Sequence, residues 1–431
     1  MSKEDVSGTV SKSARLNKKE RSWVYYDVGM SAFTLLSTVV LPIYFATLIP
    51  DESVVVYWGA AETIAALILA LLMPILGSLA DFQGYRVRFF IGAVATGVVA
   101  CMGLALPLEW LAFLVIYVVA ALGLNGSNVF YDAFLVDATS PNRFNKVSSS
   151  GYAWGYIGSV IPFALCLVLI MGGESFGIDT GLACQISALI TGVWWVLFTI
   201  PLVRNVKQTH YKPRVKGIIS KSFTSVWRTF LSFRNTKVVL FFLLAYFCYI
   251  DGVHTIIRMA TSVGTDLGVG SNDLLIALLV AQIVAFPSAI IYGKLADKFG
   301  TRTMITVGVI GYLIITIVAA ALMRPEFSVE TLTTVFYGLA VGIGLFQGGI
   351  QAISRSYFGK LVPKERANEY FGFFDIFGKY AAIMGTGMMS LFTALTGSVS
   401  LGILSIAALF VLGLIFLAKV PKESKEITED R

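Results

Sequence analysis

The sequence predicts an all-α integral membrane protein with twelve transmembrane helices, in two six-helix bundles related by pseudo-twofold symmetry. Three observations predict it. Of 431 residues, 56% are hydrophobic and only 14% charged, and the mean hydropathy is +0.78, which excludes an ordinary soluble domain. The phrase GSLADFQGYR at 77–86 returns as GKLADKFGTR at 293–302, so Gly77, Leu79, Ala80, Asp81, Gly84 and Arg86 recur 216 residues later. A repeat of that length, joining apolar stretches in both copies, makes two similar membrane halves. Third, with the N-terminus inside, 30 of the 33 Lys and Arg fall in cytoplasmic segments. The exceptions are Arg324, Arg258 near an outer helix end, and Lys379 within a span. This positive-inside bias supports an even number of spans with both termini cytoplasmic.

About 20 apolar residues cross a bilayer core. By that measure the spans lie near 24–48, 54–80, 88–106, 110–138, 147–171, 181–203, 238–260, 273–294, 303–323, 332–355, 367–395 and 398–418. Residues 1–22 are polar and lack a cleavage-site pattern, so the first span is expected to be retained. The domains are then 1–203, an N-terminal six-helix bundle, and 238–431, its C-terminal counterpart. Between them 204–237 carries nine basic residues and no acidic one. In it Ile219, Phe223, Val226, Trp227 and Phe230 fall at helical spacing between Lys216, Lys221 and Arg228. That pattern predicts a helix on the inner leaflet, apolar side down. The net charge of +7 thus describes a face toward anionic lipid, and no nucleic-acid partner is expected. A second, weaker repeat relates GLNGSNVFYDAFLVDATSPNR to GLFQGGIQAISRSYFGKLVPKER at an offset near 222. Cys101, Cys166, Cys184 and Cys248 all fall inside spans without a CxxC, which reads as buried thiols rather than disulfides or a metal cluster.

Polar side chains at mid-bilayer are costly, so they face a cavity or a partner. Span 1 has Asp27, Ser31, Thr34 and Thr38. Span 4 has Asn125, Asn128 and Asp132; span 7 has Asp251, His254 and Arg258; span 10 has Gln347, Gln351 and Arg355. Each set keeps one helical face. Spans 3, 9 and 12 carry almost nothing polar beyond Ser and Thr. A central cavity lined by spans 1, 4, 7 and 10 is the expectation, against the blander reading of interhelical hydrogen bonds. Asp251 lies about 20 Å into span 7, close to the midplane. Lys379 sits at similar depth in span 11, with Asp375 one turn away, so Lys379 is expected to pair with Asp251 or Asp375. Glu62 in span 2 is a second carboxyl able to carry a proton. Asp27 and Asp132 sit nearer the cytoplasmic side, where a structural or gating role fits better.

The repeated GxLAD–x–x–G–x–R loops resemble the signature cytoplasmic loops of the major facilitator superfamily. WVYYDVGMSAF (23–33), AYFCYIDGVHTI (245–256) and FGFFDIFGKYAA (371–382) resemble the bacterial relatives of the autophagy-linked vacuolar amino-acid effluxers. YDAFLVDATS (131–140) is similar to a phrase of the cation-coupled sugar symporters. The resemblance implies the major facilitator fold and alternating access by rocking of the two halves. It also implies a cytoplasmic latch in which Asp81 and Arg86 act, Asp81 meeting the N-terminal end of span 11. Asp297 and Arg302 hold the mirrored place, with Arg355 as a further gating residue. Phe82 and Gln83 replace a more usual charge in the first loop, and its second basic residue is displaced to Arg88.

A membrane enzyme is not expected: there are two histidines, His210 and His254, and no HExxH or P-loop. The glycines at 338, 342, 344 and 348 fall at helical spacing and read as packing residues. The expected function is a secondary active or facilitative transporter of a small polar solute, such as an amino acid, coupled to protons. The mixed acidic, basic and amide residues suit a zwitterion. A sodium-coupled sugar-type symporter, an amphiphile, lipid or drug exporter, and a non-transporting sensor are the alternatives. No cofactor is expected; the partners are the solute, the proton and the bilayer, the protein is expected as a monomer, and the location is the bacterial cytoplasmic membrane.

Overall fold

The structure is a computed structural model that describes residues 15–214, 217–233, 236–322 and 326–421. Arg324 and Lys216 lie outside the described residues, as does the side chain of Lys379, so the expected pairing of Lys379 is outside them too.

The described chain is helical, with no strand beyond a single bridge between Phe82 and Lys212. The helices are α1 (Lys18–Ala46), α2 (Asp51–Ala80), α3 (Tyr85–Gly103), α4 (Trp110–Ala133), α5 (Phe144–Gly172) and α6 (Thr180–Asn205). After the linker helix α7 (Ile218–Ser232) come α8 (Lys237–Asp266), α9 (Ser271–Phe299), α10 (Thr301–Leu322), α11 (Val329–Leu361), α12 (Ala367–Thr396) and α13 (Val399–Ala418). Eleven of these, all but α7 and α12, are long and apolar enough to cross a membrane. Where the eleventh span was expected, α12 has the length, at 30 residues, but is not among the eleven. The twelve expected crossings thus stand as eleven apolar ones plus this helix.

Local chemistry sets the ends. Asn17 and Glu20 form a reciprocal capping box at the start of α1, satisfying two N–H groups that no helix bond reaches. Asp179 and Ser328 cap α6 and α11 in the simpler way. The turns leaving α2 and α9 are made by Gly84 (φ 78°) and Gly300 (φ 91°), the same position in the two repeats. A side chain there would be strained, and glycine is not. In α1 the helix widens to a π-turn over Leu36–Val40, just ahead of Pro42.

Packing follows the repeat. Within the first half α1 lies on α5 and α6, and α4 on α2 and α3; within the second α8 lies on α12 and α13, and α11 on α9 and α10. The halves meet where α5 packs against α9 and α11, and where α12 packs against α2 and α4. The α5–α9 and α12–α2 seams are counterparts under the duplication.

Candidate functional site

Asp81, just past the end of α2, is aimed at the first turn of α12. Its Oδ1 accepts from Asn368 N (2.9 Å) and Asn368 Nδ2 (2.9 Å), and its Oδ2 from Glu369 N (3.2 Å). The opening N–H groups of a helix have no internal acceptor and carry partial positive charge, so a carboxylate satisfies both needs. One turn earlier, a Cβ on Gly77 would stand 2.5 Å from the Asn368 carbonyl oxygen; glycine is what lets the two halves touch. The second copy keeps the side-chain contact of the asparagine and the close approach of the glycine. Asn145, at the start of α5, donates to Asp297 (2.9 Å), and a Cβ on Gly293 would stand 2.7 Å from the Ser149 side chain. The copies differ in burial: Asp81 is fully buried and Asp297 is exposed.

The basic members of the repeats differ more. Arg86 is buried in an ion pair with Asp137 and lies 3.7 Å from Asp81. The residue matching Asp137 in the second half is Lys360, so Arg302 has no acid there and donates instead to the Ala418 carbonyl (3.2 Å). Burial pushes the Asp81 carboxyl up to about 6, against the pull of Lys212, Arg86 and Asn368. Burial also raises Asp137, but Arg86, with hydrogen bonds from His210 and Thr209, outweighs it and holds that carboxyl below its ordinary value.

A second cross-half contact centres on Arg355 of α11, which is 2% exposed. Its guanidinium reaches Asp132 of α4 (2.9 Å) and Asp27 of α1 (3.2 Å), and donates to the hydroxyl (2.9 Å) and carbonyl (3.2 Å) of Ser148 on α5. Three rings enclose it, with centroids at 4.3 Å (Tyr152), 4.6 Å (Trp23) and 5.3 Å (Tyr131). The rings are themselves fixed: Tyr131 donates to Asp27 (2.7 Å), and the Trp23 indole to the Tyr131 carbonyl (3.0 Å). A guanidinium suits this place because its planar fork binds carboxylates while its faces stack on aromatics. So Asp27, Asp132 and Arg355, three residues of the polar stripes, converge on one buried contact between the halves.

The other candidates fall elsewhere. Asp251 is fully buried in α8, its Oδ1 accepting from Gly385 N (2.9 Å) and Thr255 Oγ1 (3.2 Å). Its Oδ2 has no hydrogen-bond partner among the described residues. Glu62 is half-buried and accepts from Tyr117. Arg258 is exposed and lies within electrostatic range of Tyr117 and His254, the latter bonded at the Gly378 backbone. Asp375, half-buried on α12, lies within such range of Asp132 and Tyr152. Asn125 donates to Ala121 of its own helix (2.8 Å), and the buried Oδ1 of Asn128 has no hydrogen-bond partner among the described residues. Gln351 is half-buried.

A cavity of about 240 Å³ lies in the half of the molecule remote from the repeated loops. Its walls come from the middle of α1, the far ends of α8 and α10, the near ends of α9 and α11, and Met389 of α12 with Ile403 and Ile406 of α13, and are mostly Ile, Leu, Met and Val. Four side chains bring hydrogen-bonding groups: Thr34, Thr38, Gln282 and Gln347. Gln347 is 8% exposed, and its amide makes no hydrogen bond to the described residues. Of the polar stripes read from the sequence, Thr34 and Thr38 of α1 and Gln347 of α11 line this cavity, and the α4 stripe contributes nothing to it.

Sequence reasoning missed the cage around Arg355 (Trp23, Tyr131, Ser148 and Tyr152), and the paired asparagines Asn145 and Asn368. A signal was present. Arg143-Phe-Asn145 returns as Arg366-Ala-Asn368 at the same 223-residue offset that relates Asp132 to Arg355. Sequence reasoning also read the chain as lacking a G-x-S-x-G motif, but the pentapeptide GESFG at 173–177 has that spacing. It forms a 3-10 turn between α5 and α6, not the strand-to-helix elbow that exposes a nucleophilic serine.

Two duplicated helical halves, joined at one end and hollowed toward the other, are the major facilitator architecture, and the class is a membrane transporter. Solved structures share the fold. The proton:xylose symporter XylE superposes with a TM-score of 0.71 at 13% identity, over 94% of this chain and 96% of that one. FucP in the outward conformation gives 0.70 at 14%, over 94% and 100%, and an outward-facing bacterial homologue of ferroportin 0.69 at 15%, over 93% and 99%. The family model described as vacuole effluxer Atg22 like matches residues 36–140 and 136–429, and the chain belongs to that family. It is 45% identical over 420 residues to the MFS-type transporter YxiO of Bacillus subtilis (strain 168), covering 95% of this chain and 96% of that protein. Autophagy-related protein 22-1 of Aspergillus niger is 26% identical over 64% of this chain, which spans about half (47%) of the fungal protein.

Proposed function

We propose that this protein is a secondary carrier working by alternating access, with the repeated loops on the cytoplasmic side and the cavity open toward the outside. The observation that carries this reading is the one-sided closure. Asp81 with Asn368, Asp297 with Asn145, and Arg355 with Asp27 and Asp132 all tie the halves together at the loop end, while the cavity lies at the other. Closure made of reversible polar contacts can exchange for closure at the opposite end, which is what a rocking carrier needs.

The cavity narrows the solute. An amino-acid zwitterion calls for charged groups in the wall, since burying an unpaired ion costs several kcal/mol, and no ionised side chain lines the cavity among the described residues. A sugar calls for a dense polar lining, and four hydrogen-bonding side chains in an apolar wall do not make one. A small solute with an apolar body and an uncharged hydroxyl, carbonyl or amide head fits what is there. Asp251 is the group proposed to carry the coupling proton: it is buried near mid-helix, with one oxygen unbonded among the described residues.

The test uses the purified chain in liposomes. Thermal-shift screening of neutral amphipathic solutes, amino acids and sugars selects a ligand, and counterflow of that ligand in labelled form follows. Counterflow above empty vesicles is expected, and its absence for every ligand bound would replace the carrier with a sensor. Asp251→Asn should keep counterflow and lose accumulation driven by a proton gradient. Full accumulation in that variant, or a strict sodium requirement, would overturn proton coupling through Asp251.

A further inference from the structure

The linker helix α7 is turned inside out relative to a helix on a soluble surface. Its hydroxyl stripe faces inward: Ser222 and Thr229 are buried and Ser225 half-buried. Ser225 donates to both oxygens of Glu369 (3.0 Å each) and Thr229 to one (2.6 Å). Its aromatic face points outward, with Phe223, Trp227, Phe230 and Leu231 each more than half exposed, and Lys221 and Arg228 exposed beside them. Apolar side chains left outside a polar stripe seek a medium other than water.

What α7 holds on its inner side is the latch. Glu369 is fully buried in the first turn of α12, the turn that Asp81 caps, and also accepts from Lys212 (2.9 Å) and Arg366 (3.2 Å). Lys212 lies 3.7 Å from Asp81 as well. The preceding linker is laced to the α2–α3 loop: Lys212 N donates to Asp81 O (2.8 Å), Gln83 N to Lys212 O (3.1 Å), Gly84 N to the Gln208 side chain (2.9 Å), and Arg214 Nε to Gln83 O (3.2 Å). After α7, Phe233 packs edge-on against Tyr370 and Phe373 of α12. The linker therefore grips one half's loop at its start and the other half's helix at its end.

We propose that α7 is a lipid-seated clasp. Its Phe223–Trp227–Phe230–Leu231 face enters the headgroup region of anionic lipid, Lys221 and Arg228 bind the lipid charge, and the seated helix keeps Ser225, Thr229 and Lys212 on Glu369. Anionic lipid then favours the closed latch, and its removal loosens the first turn of α12. The linker's nine basic residues without an acid select anionic over zwitterionic lipid.

The test is hydrogen exchange of the full-length protein in nanodiscs of phosphatidylcholine alone or with phosphatidylglycerol. Amides of 81–86 and 366–372 are followed, with those of α10 as an internal reference. Phosphatidylglycerol should slow latch exchange about tenfold or more, given two basic residues near the charged surface, and leave α10 unchanged. The Lys221→Gln/Arg228→Gln variant, altered only at exposed positions, should lose that response while keeping the exchange of α10. Equal latch exchange in both lipids, or an undiminished lipid response in the variant, would overturn the clasp. A bimane label on Trp227→Cys should be quenched by spin-labelled lipid; a label open only to aqueous quenchers would overturn the seating.

Discussion

Replacing Arg355 by Gln tests the closed end most directly. Arg355 bonds Asp27 and Asp132 at 3.2 and 2.9 Å, and it and Asp27 are almost wholly enclosed. Removing one partner of a buried ion pair costs about 3–5 kcal/mol, because the remaining charge is left unpaired. The ring cage adds about 1 kcal/mol or more of cation–π attraction to the loss. Nearly all of this falls on the closed state, since opening the loop end lets water reach both carboxylates. The closed-to-open ratio should drop by roughly three to four orders of magnitude. Spin labels at Arg88→Cys on α3 and Lys298→Cys on α9, both exposed and on opposite halves, would report the gap as a distance distribution in nanodiscs. The native protein should give one short population, and Arg355→Gln a dominant longer one. Adding Asp27→Asn and Asp132→Asn should return much of the short population, because the stranded charges are gone. An unchanged distribution in Arg355→Gln, or a triple variant no more closed than the single one, would refute the reasoning.

Three further outcomes follow from the same geometry. Burial puts the Asp81 carboxyl at about 6 in the closed form; opening the loop end to water should return it toward its ordinary range, so the closed form should bind a proton more tightly. Its advantage is fully present below pH about 4 and is lost as pH rises through 6. Between pH 7 and pH 5 the closed fraction, read from the same labels, should gain about tenfold over the open, and Asp81→Asn should cut that response. Gly77→Ala places a methyl group 2.5 Å from the Asn368 carbonyl oxygen. A backbone atom cannot swing aside, so thermal stability of the closed form should fall and the longer label distance should appear; no change in either would discard the close-approach argument. Gln347→Leu leaves Thr34, Thr38 and Gln282 in the cavity wall and removes an amide that bonds nothing in the described structure. Ligand affinity should fall about fivefold to a hundredfold, as for one lost neutral hydrogen bond and an unsatisfied partner, with the melting temperature of the empty protein unchanged; equal affinity would place the solute elsewhere.

Much was legible in the chain alone because it depends on local spacing. Bilayer thickness fixes how many apolar residues a crossing needs, so the helices fell near their expected places. The 216-residue repeat announced two halves. The place of Asp81 came from the resemblance to the major facilitator loops, which implied its contact with the N-terminal end of span 11; the structure has its carboxylate accepting from Asn368 N and Glu369 N. The helix at 218–232 was likewise readable from its period, with its aromatic side outward.

Neighbours across the molecule were not legible. Helical spacing puts Asp27, Asp132 and Arg355 on polar faces but says nothing of which faces meet; Asp27 and Arg355 are 328 positions apart. The same gap misdirected the reading of the cavity. Four polar stripes suggested one wet chamber, yet two of their acids and the arginine neutralise one another at the closed end, leaving an apolar hollow with two amides and two hydroxyls. Sequence set each helix, its faces and the duplication, since those follow from covalent order and period. Tertiary structure alone chose the partners, because which buried charge finds its opposite depends on how two halves are rotated against each other.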